Sequence, residues 1–288
     1  MKERLQSMLN KMFKISLLGF FLSSAQAETA PIFKHDFSLG IEAMKYFYKE
    51  PNIFQDDLAR QLGAAWMNHK GYLFGIHGSY RLTWQDKLFV QPEGRILYGK
   101  HDYKTGRKKK VNSKTKKEDP ALLYETRFLA GGKIPLGNKL TLSPYTGIGY
   151  RFKSDDGEKT RTSMGNMLSY RKSNYVYVPF GSYIDYAIND AWAVSIKGEY
   201  DWIVKGWQYT RSTRLPRPVT NKQPNGYGLK GEVSVSYIYK KIKFSISPYI
   251  NYWNIRNSKV VTMSYPYSGA SEPYNITWES GVRLGVRF

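Results

Sequence analysis

The chain has 288 residues, a formal net charge of +21 and no cysteine, and 16% of its residues are aromatic. The absence of cysteine excludes disulfide bonds, thiolate metal sites and a cysteine nucleophile. The mean hydropathy of −0.53 argues against a helical membrane protein, although strands that alternate apolar and polar residues can cross a membrane with such a value.

The first 27 residues predict a secretory signal peptide. Basic residues precede an apolar run at 15–22, and Ala25-Gln26-Ala27 provides a small-x-small cleavage site. The apolar run is much shorter than the roughly 20 residues that a membrane-spanning helix needs. We therefore expect residues 28–288 to form the mature protein as a single domain, with either Met1 or Met12 as the start.

From residue 36 onward, apolar and polar residues alternate with the period of a β-strand. In the second such segment, Tyr72, Phe74 and Ile76 alternate with Gly75 and His77. The pattern predicts ten strands, at about 36–48, 70–84, 87–103, 119–134, 139–153, 170–187, 191–206, 225–240, 242–256 and 275–288. Most of them are longer than the usual strand of about five or six residues.

The last predicted strand carries its apolar residues on one face and ends the chain on an aromatic residue. The face includes Trp278, Val282, Leu284, Val286 and Phe288. This ending resembles the terminal strand of bacterial outer-membrane β-barrels, where it serves as the assembly signal. The connections between predicted strands are alternately short and long, which is also typical of that class.

This resemblance implies an all-β fold, an antiparallel up-and-down transmembrane barrel of about ten strands with short periplasmic turns and long extracellular loops. It also implies location in the cell outer membrane, contact with membrane lipid and lipopolysaccharide, and assembly by periplasmic chaperones and the barrel assembly machinery. A soluble exported barrel is the alternative, since it also alternates apolar and polar residues. Strand length and the tyrosine and tryptophan residues near strand ends favour the membrane.

The polar face of the predicted strands would line the lumen with eight acids and ten bases. Such a balance predicts a network of ion pairs, because an unpaired buried charge costs several kcal/mol. A ten-stranded barrel should leave at most a narrow conduit, so the charges serve either a small selective pore or the structure alone. The predicted lumen residues are Glu42, Glu93, Glu125, Asp185, Glu199, Asp201, Glu232, Glu279, Arg81, Arg95, Arg127, Lys133, Arg151, Lys197, Lys230, Lys243, Arg283 and Arg287.

Two predicted long loops, 101–118 and 205–222, are strongly basic. Together they predict a rim that binds anionic partners such as lipopolysaccharide or another anionic polysaccharide, without specific binding of nucleic acid. The rim residues that we single out are Arg107, Lys108, Lys109, Lys110, Arg211, Arg214 and Arg217.

Two Glu-Pro elements flank the strands that would close the barrel. Glu50-Pro51 follows the first strand and Glu272-Pro273 precedes the last one. Because closure makes these strands neighbours, we expect the two elements to lie side by side at the outer rim, where they form a seam. The alternative is that each proline only ends a strand.

These features predict a small channel, porin-like, or a structural surface protein, with an adhesin for anionic polymers as the alternative. A ten-stranded barrel with an exposed rim is also similar to the omptin surface proteases, and lipid A-modifying enzymes share the membrane. The omptins need paired aspartates facing an Asp–His pair, and the chain has no Asp-x-His. Its histidines are His35, His69, His77 and His101, the last beside Asp102 in a lysine-rich predicted loop. We therefore expect no enzymatic activity, cofactor or metal site.

Overall fold

The computed structural model describes residues 32–51, 65–107, 110–213, 215–263 and 269–288. The predicted signal peptide lies outside these residues. No helix in the described part of the chain is long and apolar enough to cross a membrane.

Fifteen strands form within the described ranges. They are β1 (Phe33–Glu50), β2 (Ala65–Trp84), β3 (Leu88–Arg107), β4 (Lys110–Lys114), β5 (Asp119–Gly132), β6 (Ile134–Pro135), β7 (Leu140–Asp156), β8 (Tyr170–Ala187), β9 (Trp192–Arg211), β10 (Val219–Lys222), β11 (Gly226–Tyr239), β12 (Ile242–Ile255), β13 (Val261–Thr262), β14 (Gly269–Ala270) and β15 (Asn275–Arg287).

Ten long antiparallel strands form a closed barrel, in the order β1, β2, β3, β5, β7, β8, β9, β11, β12 and β15, and we call them the wall strands. β1 closes the barrel because it pairs with β2 on one side and with β15 on the other. Closure gives every wall strand two partners, which removes the free edges of an open sheet. The all-β, ten-stranded prediction is therefore confirmed.

Short turns and both ends of the described barrel lie at the same end, which we call the turn end; the opposite end is the loop end. The turn after β2 is tight: Gln85 and Asp86 have φ of 49° and 54°, and Lys87 N donates to Trp84 O at 2.9 Å. Two successive positive φ values match the right-handed twist of the strands that the turn joins. This geometry fixes the register of β2 against β3.

Several wall strands continue further toward the loop end than the alternation predicted. β1 runs to Glu50 and β9 to Arg211, and β4 pairs with the end of β3. The assignment of 101–118 and 205–222 to loops was therefore wrong for much of both segments. The apolar alternation ends where the strands leave the apolar belt described below, whereas backbone hydrogen bonding continues and keeps the chain extended.

Apolar side chains cover the outside of the wall in a continuous belt. Ile41, Phe74 and Ile148 are 60%, 62% and 57% exposed, whereas the polar faces of the same strands point into the barrel. Aromatic residues mark the edges of the belt, with Trp84 at the turn end and Tyr98 at the loop end. A barrel in water would turn its apolar face inward, so this one is built to face lipid.

Candidate functional site

Arg95 on β3 lies at the centre of the lumen, within the height of the belt. Its guanidinium donates to Glu42 Oε1 at 2.9 Å, to Glu125 Oε2 at 2.8 Å and to Glu279 Oε2 at 2.7 Å. All four side chains are buried, and the three carboxylates come from β1, β5 and β15. One cation therefore links three other strands, and its hydrogen bonds offset the cost of burying it.

Lys230 on β11 forms a second centre beside the first. Its Nζ lies 2.8 Å from Glu125 Oε1, 3.0 Å from Glu199 Oε1 and 3.1 Å from Asp201 Oδ2. Arg127 also binds Glu199, and it reaches Glu93 on the neighbouring strand. The two centres share Glu125, so they form one network across the lumen.

Arg151 extends this network between opposite sides of the wall. It binds Glu279, and β7 and β15 lie five positions apart in the ring of ten wall strands. Its guanidinium also lies 5.0 Å from the centre of the buried Trp253 ring. Ionic and aromatic side chains thus meet in the middle of the lumen.

The remaining predicted lumen residues lie on the inner face, with different contacts. Arg283 binds Glu42 and Glu232, and Lys197 Nζ is 3.5 Å from Glu199. Arg81 donates to Gln91 at 2.5 Å instead of to a carboxylate. Four residues lie nearer the turn end and line the cavity there: Lys133, Asp185, Lys243 and Arg287.

A cavity of about 450 Å³ occupies the turn-end half of the lumen. Asn138 and Ala187 line it near the turns, and Arg95, Arg127 and Lys230 line it at the other end. The ionic network therefore forms the inner wall of this cavity.

Beyond the loop-end edge of the belt, the outward face of the wall strands is strongly basic. Inward and outward positions follow from the burial pattern and the strand register. Among the side chains that the structure describes, the outward charged residues of the wall strands here are eight cations and two acids: Lys45, Lys49, Lys70, Lys100, Lys104, Lys172, Lys205 and Arg211, with Asp102 and Asp156. We call these cations the basic collar.

The predicted rim residues are only partly described. Lys108, Lys109 and Arg214 lie outside the described residues, and for Arg107 and Lys110 only the backbone pairing of β3 with β4 is described. Arg217 is exposed. Arg211 is exposed as well, and its guanidinium binds both carboxylate oxygens of Glu158 at 2.6 Å.

The two Glu-Pro elements meet at a common arginine. Arg171 Nη1 on β8 lies 2.9 Å from Glu50 Oε1, and its Nη2 lies 3.7 Å from Glu272 Oε2. Burial raises the pKa of Glu272 above its ordinary value, and Arg171 opposes that rise. The closing strands are thus connected to the opposite wall through one cation as well as to each other.

Also beyond the belt, four buried side chains on neighbouring strands point at one another: His69 on β2, His101 on β3, Asp119 on β5 and Asp155 on β7. His69 Nδ1 lies 2.9 Å from His101 Nδ1, and His101 Nε2 lies 2.8 Å from Asp155 Oδ1. Asp119 Oδ2 lies 3.5 Å from His69 Nδ1 and 3.6 Å from His101 Nδ1. We call these four residues the His-Asp cluster.

Burial controls the protonation of this cluster. It lowers the pKa of both histidines, so their rings are neutral near pH 7. Burial, together with the charge of Asp155, raises the pKa of Asp119 to about 8. Burial also raises the pKa of Asp155, but the Lys153 ammonium and the hydrogen bond with His101 lower it by more.

The His-Asp cluster was not predicted from the sequence, because the lysine-rich segment that holds His101 was assigned to a loop. His101 is part of β3, opposite Gly71, and a Cβ at Gly71 would lie 2.6 Å from His101 Cα. Glycine therefore allows the two strands to hold the histidine at this point. His69 lies two residues from Gly71 on the same inward face, and this spacing was a usable signal.

Comparisons with known proteins identify the fold. No family model and no curated protein matches the sequence. Among solved structures, the chain is similar to the outer membrane protease OmpT from Escherichia coli, with a TM-score of 0.66 and 9% identity over 92% of this chain and 99% of that one. It also aligns with the outer membrane protein OprG from Pseudomonas aeruginosa, with a TM-score of 0.36 and 9% identity over 88% of this chain and 95% of that one.

The closed ten-stranded wall and its lipid-facing belt define a bacterial outer-membrane β-barrel. The turn end is accordingly periplasmic and the loop end extracellular, and the chain is located in the outer membrane. The likeness to a protease at 9% identity shows the fold alone, and a fold does not decide between an enzyme and a binding or structural protein.

Proposed function

We propose that the protein is a non-conducting outer-membrane barrel that binds the phosphate groups of lipopolysaccharide with the part of its wall strands that lies beyond the belt at the loop end. We call this part of the wall the extracellular extension. The basic collar carries this proposal. It lies directly beyond the lipid-facing belt, where phosphates attached to the acyl chains of the outer leaflet would lie. Lysine and arginine ammonium and guanidinium groups bind phosphate by charge-assisted hydrogen bonds.

One part of the collar shows how such a ligand would fit. Lys45 and Lys70 line a groove on the outer face together with Phe47, Trp278 and Ser280. The aromatic rings offer apolar surface beside the two ammonium groups. A molecule that joins acyl chains to phosphate would contact both kinds of surface at once.

The filled lumen supports the non-conducting part of the proposal. An ion on its way through the barrel would have to pass Arg95, Arg151 and their carboxylate partners, which hold one another by direct hydrogen bonds. Opening this network would leave buried charges without partners, at a cost of several kcal/mol. The cavity on the periplasmic side is then a recess that ends at the network.

Other functions receive less support from these contacts. An adhesin for soluble anionic polymers would use the same cations, but the position of the collar at the membrane edge favours a ligand within the outer leaflet. The His-Asp cluster provides the residue types of a hydrolase. Its side chains are at most 11% exposed, however, which favours a role that needs no contact with a large substrate.

The test compares two triple variants of equal charge change in detergent-solubilised protein. Lys45→Gln, Lys70→Gln and Lys100→Gln together remove part of the collar, and Lys87→Gln, Lys240→Gln and Lys241→Gln remove three lysines at the turn end. At about 1 kcal/mol per lysine near an anionic surface, the collar variant should bind lipopolysaccharide roughly a hundredfold more weakly, and the control should bind as the unmodified chain does. Equal binding by the three proteins would refute the proposal.

Two further measurements separate the alternatives. Reconstitution into planar bilayers should give no discrete conductance steps, and steady steps would show that the lumen conducts. Heparin binding that falls as strongly as lipopolysaccharide binding in the collar variant would favour the adhesin.

A further inference from the structure

The His-Asp cluster lies in the extracellular part of the wall and has no part in the function proposed above. We propose that His69, His101 and Asp119 bind one divalent transition-metal ion of the Zn²⁺ class, and that Asp155 orients His101 for this role. The ion would connect β2, β3 and β5, which are neighbours in the wall.

The distances between the three ligand atoms fit one ion. His69 Nδ1, His101 Nδ1 and Asp119 Oδ2 are separated by 2.9, 3.5 and 3.6 Å. The circle through three points with these separations has a radius of about 1.9 Å, so a point slightly outside their plane lies about 2.1 Å from each. This is the usual bond length from zinc to imidazole nitrogen and to carboxylate oxygen.

Asp155 occupies the position of a carboxylate that supports a metal-bound histidine. His101 Nε2 lies 2.8 Å from Asp155 Oδ1, so an N–H on this atom leaves Nδ1 with a free lone pair. Lys153 Nζ binds the same carboxylate and holds it in place. Asp155 is thereby fixed as a hydrogen-bond acceptor for the ring.

Asp119 has an oxygen atom that is free to accept a ligand. It is 1% exposed, its Oδ1 has no hydrogen-bond partner among the described residues, and within the described part of the chain no lysine or arginine forms an ion pair with it. A buried polar atom without a partner is costly, and a bound divalent ion would satisfy it.

The donor set selects the kind of ion. Two imidazoles and one carboxylate suit Zn²⁺ and its first-row neighbours, whereas Ca²⁺ and Mg²⁺ prefer oxygen ligands.

The experiment uses the untagged chain, purified in detergent and stripped with EDTA. Calorimetric titration and elemental analysis with Zn²⁺ should give one ion per chain, and Mg²⁺ should not compete. His69→Gln, His101→Gln and Asp119→Asn should each weaken binding by at least about a hundredfold. Asp155→Asn should weaken it by roughly 10- to 100-fold, as is usual for the residue behind a metal-bound histidine.

His77→Gln is the matched control, because His77 lies on β2 and also faces the lumen but is outside the cluster. It should bind Zn²⁺ as the unmodified chain does. Every variant is checked by the heat-dependent shift of its electrophoretic migration, which reports a folded barrel. If a ligand variant does not fold, X-ray absorption at the zinc edge of the unmodified chain tests the same ligands and should show two imidazoles at about 2.0–2.1 Å.

Three results would overturn the proposal. They are the absence of stoichiometric Zn²⁺ in the unmodified chain, unchanged binding in the folded ligand variants, and an absorption spectrum without imidazole ligands.

Discussion

The belt region and the extracellular extension use the same ten strands in different ways. Within the belt, outward residues such as Phe74 are apolar because they face lipid. Inward residues such as Arg95 are charged and form ion pairs with one another. In the extension, the outward face is basic and the inward face carries the His-Asp cluster. Alternation of side chains is a property of the strand, whereas the chemistry of each face is set by what surrounds it.

Removal of the central cation, Arg95, should destabilise the belt region more than any other substitution considered below. Arg95→Met leaves Glu42, Glu125 and Glu279 buried with one positive charge fewer, and the free energy of unfolding should fall by about 3–5 kcal/mol. Urea unfolding in detergent, followed by tryptophan fluorescence, measures this. Arg217→Met, at an exposed position, is the control and should change little. A loss below about 1 kcal/mol for Arg95→Met would mean that water solvates the network.

A pair of substitutions on the outer face of β2 compares the two regions directly. Ile76 lies within the belt and Asn68 lies beyond it on the same face. Ile76→Arg should reduce the free energy of unfolding in lipid by about 2–4 kcal/mol, and Asn68→Arg by about 0–1 kcal/mol, because arginine is costly only in the hydrocarbon core. Equal effects of the two substitutions would place the belt at a different height. Reversible unfolding in lipid vesicles is the measurement.

The connection between Arg171, Glu50 and Glu272 should have a smaller effect than the central network. The Arg171 side chain is 22% exposed, so water partly compensates for its loss. Arg171→Met should reduce the free energy of unfolding by about 1–2 kcal/mol, an ion-pair loss that is discounted for this exposure. The double variant Glu50→Gln with Arg171→Met should lose less than the two single variants together, because the residues interact. If the changes in the free energy of unfolding are strictly additive, the contact contributes no interaction energy.

The smallest effect belongs to the surface pair of Arg211 with Glu158. The side chains of Arg211 and Glu158 are 51% and 31% exposed, and ion pairs at the surface contribute little because water and salt screen them. We expect Arg211→Gln to leave the urea midpoint unchanged within error. A clear shift of the urea midpoint would show that the ion pair stabilises this part of the extension.

The alternation of residues was sufficient to predict the ten wall strands but not their extracellular ends. β8 was predicted at its observed ends, 170–187, because apolar residues continue along most of its length. β9 continues to Arg211, five residues beyond its predicted end, because Gln208 and Thr210 face a polar interior there. Beyond the belt no apolar face is required, so the sequence loses the period from which strand ends are predicted.

Part of the His-Asp cluster was predictable and part was not. The tight turn after Trp84 fixes the register of β2 and β3, and counting back from it places His101 opposite Gly71 and His69 opposite Tyr103. The proximity of the two histidines could therefore have been predicted from the sequence. Asp119 was not, because a long connection joins β3 to β5 and leaves their register undefined by local geometry.

The closing pair of strands has a consequence for the order in which the protein can be built. Phe288 N donates to Phe37 O at 2.9 Å, so the last residue of the chain holds a strand near its beginning. Contacts between such distant residues form late, because the loop between them must first be closed. Until β15 is in place, β1 therefore has one unpaired edge, and such an edge can pair with another chain.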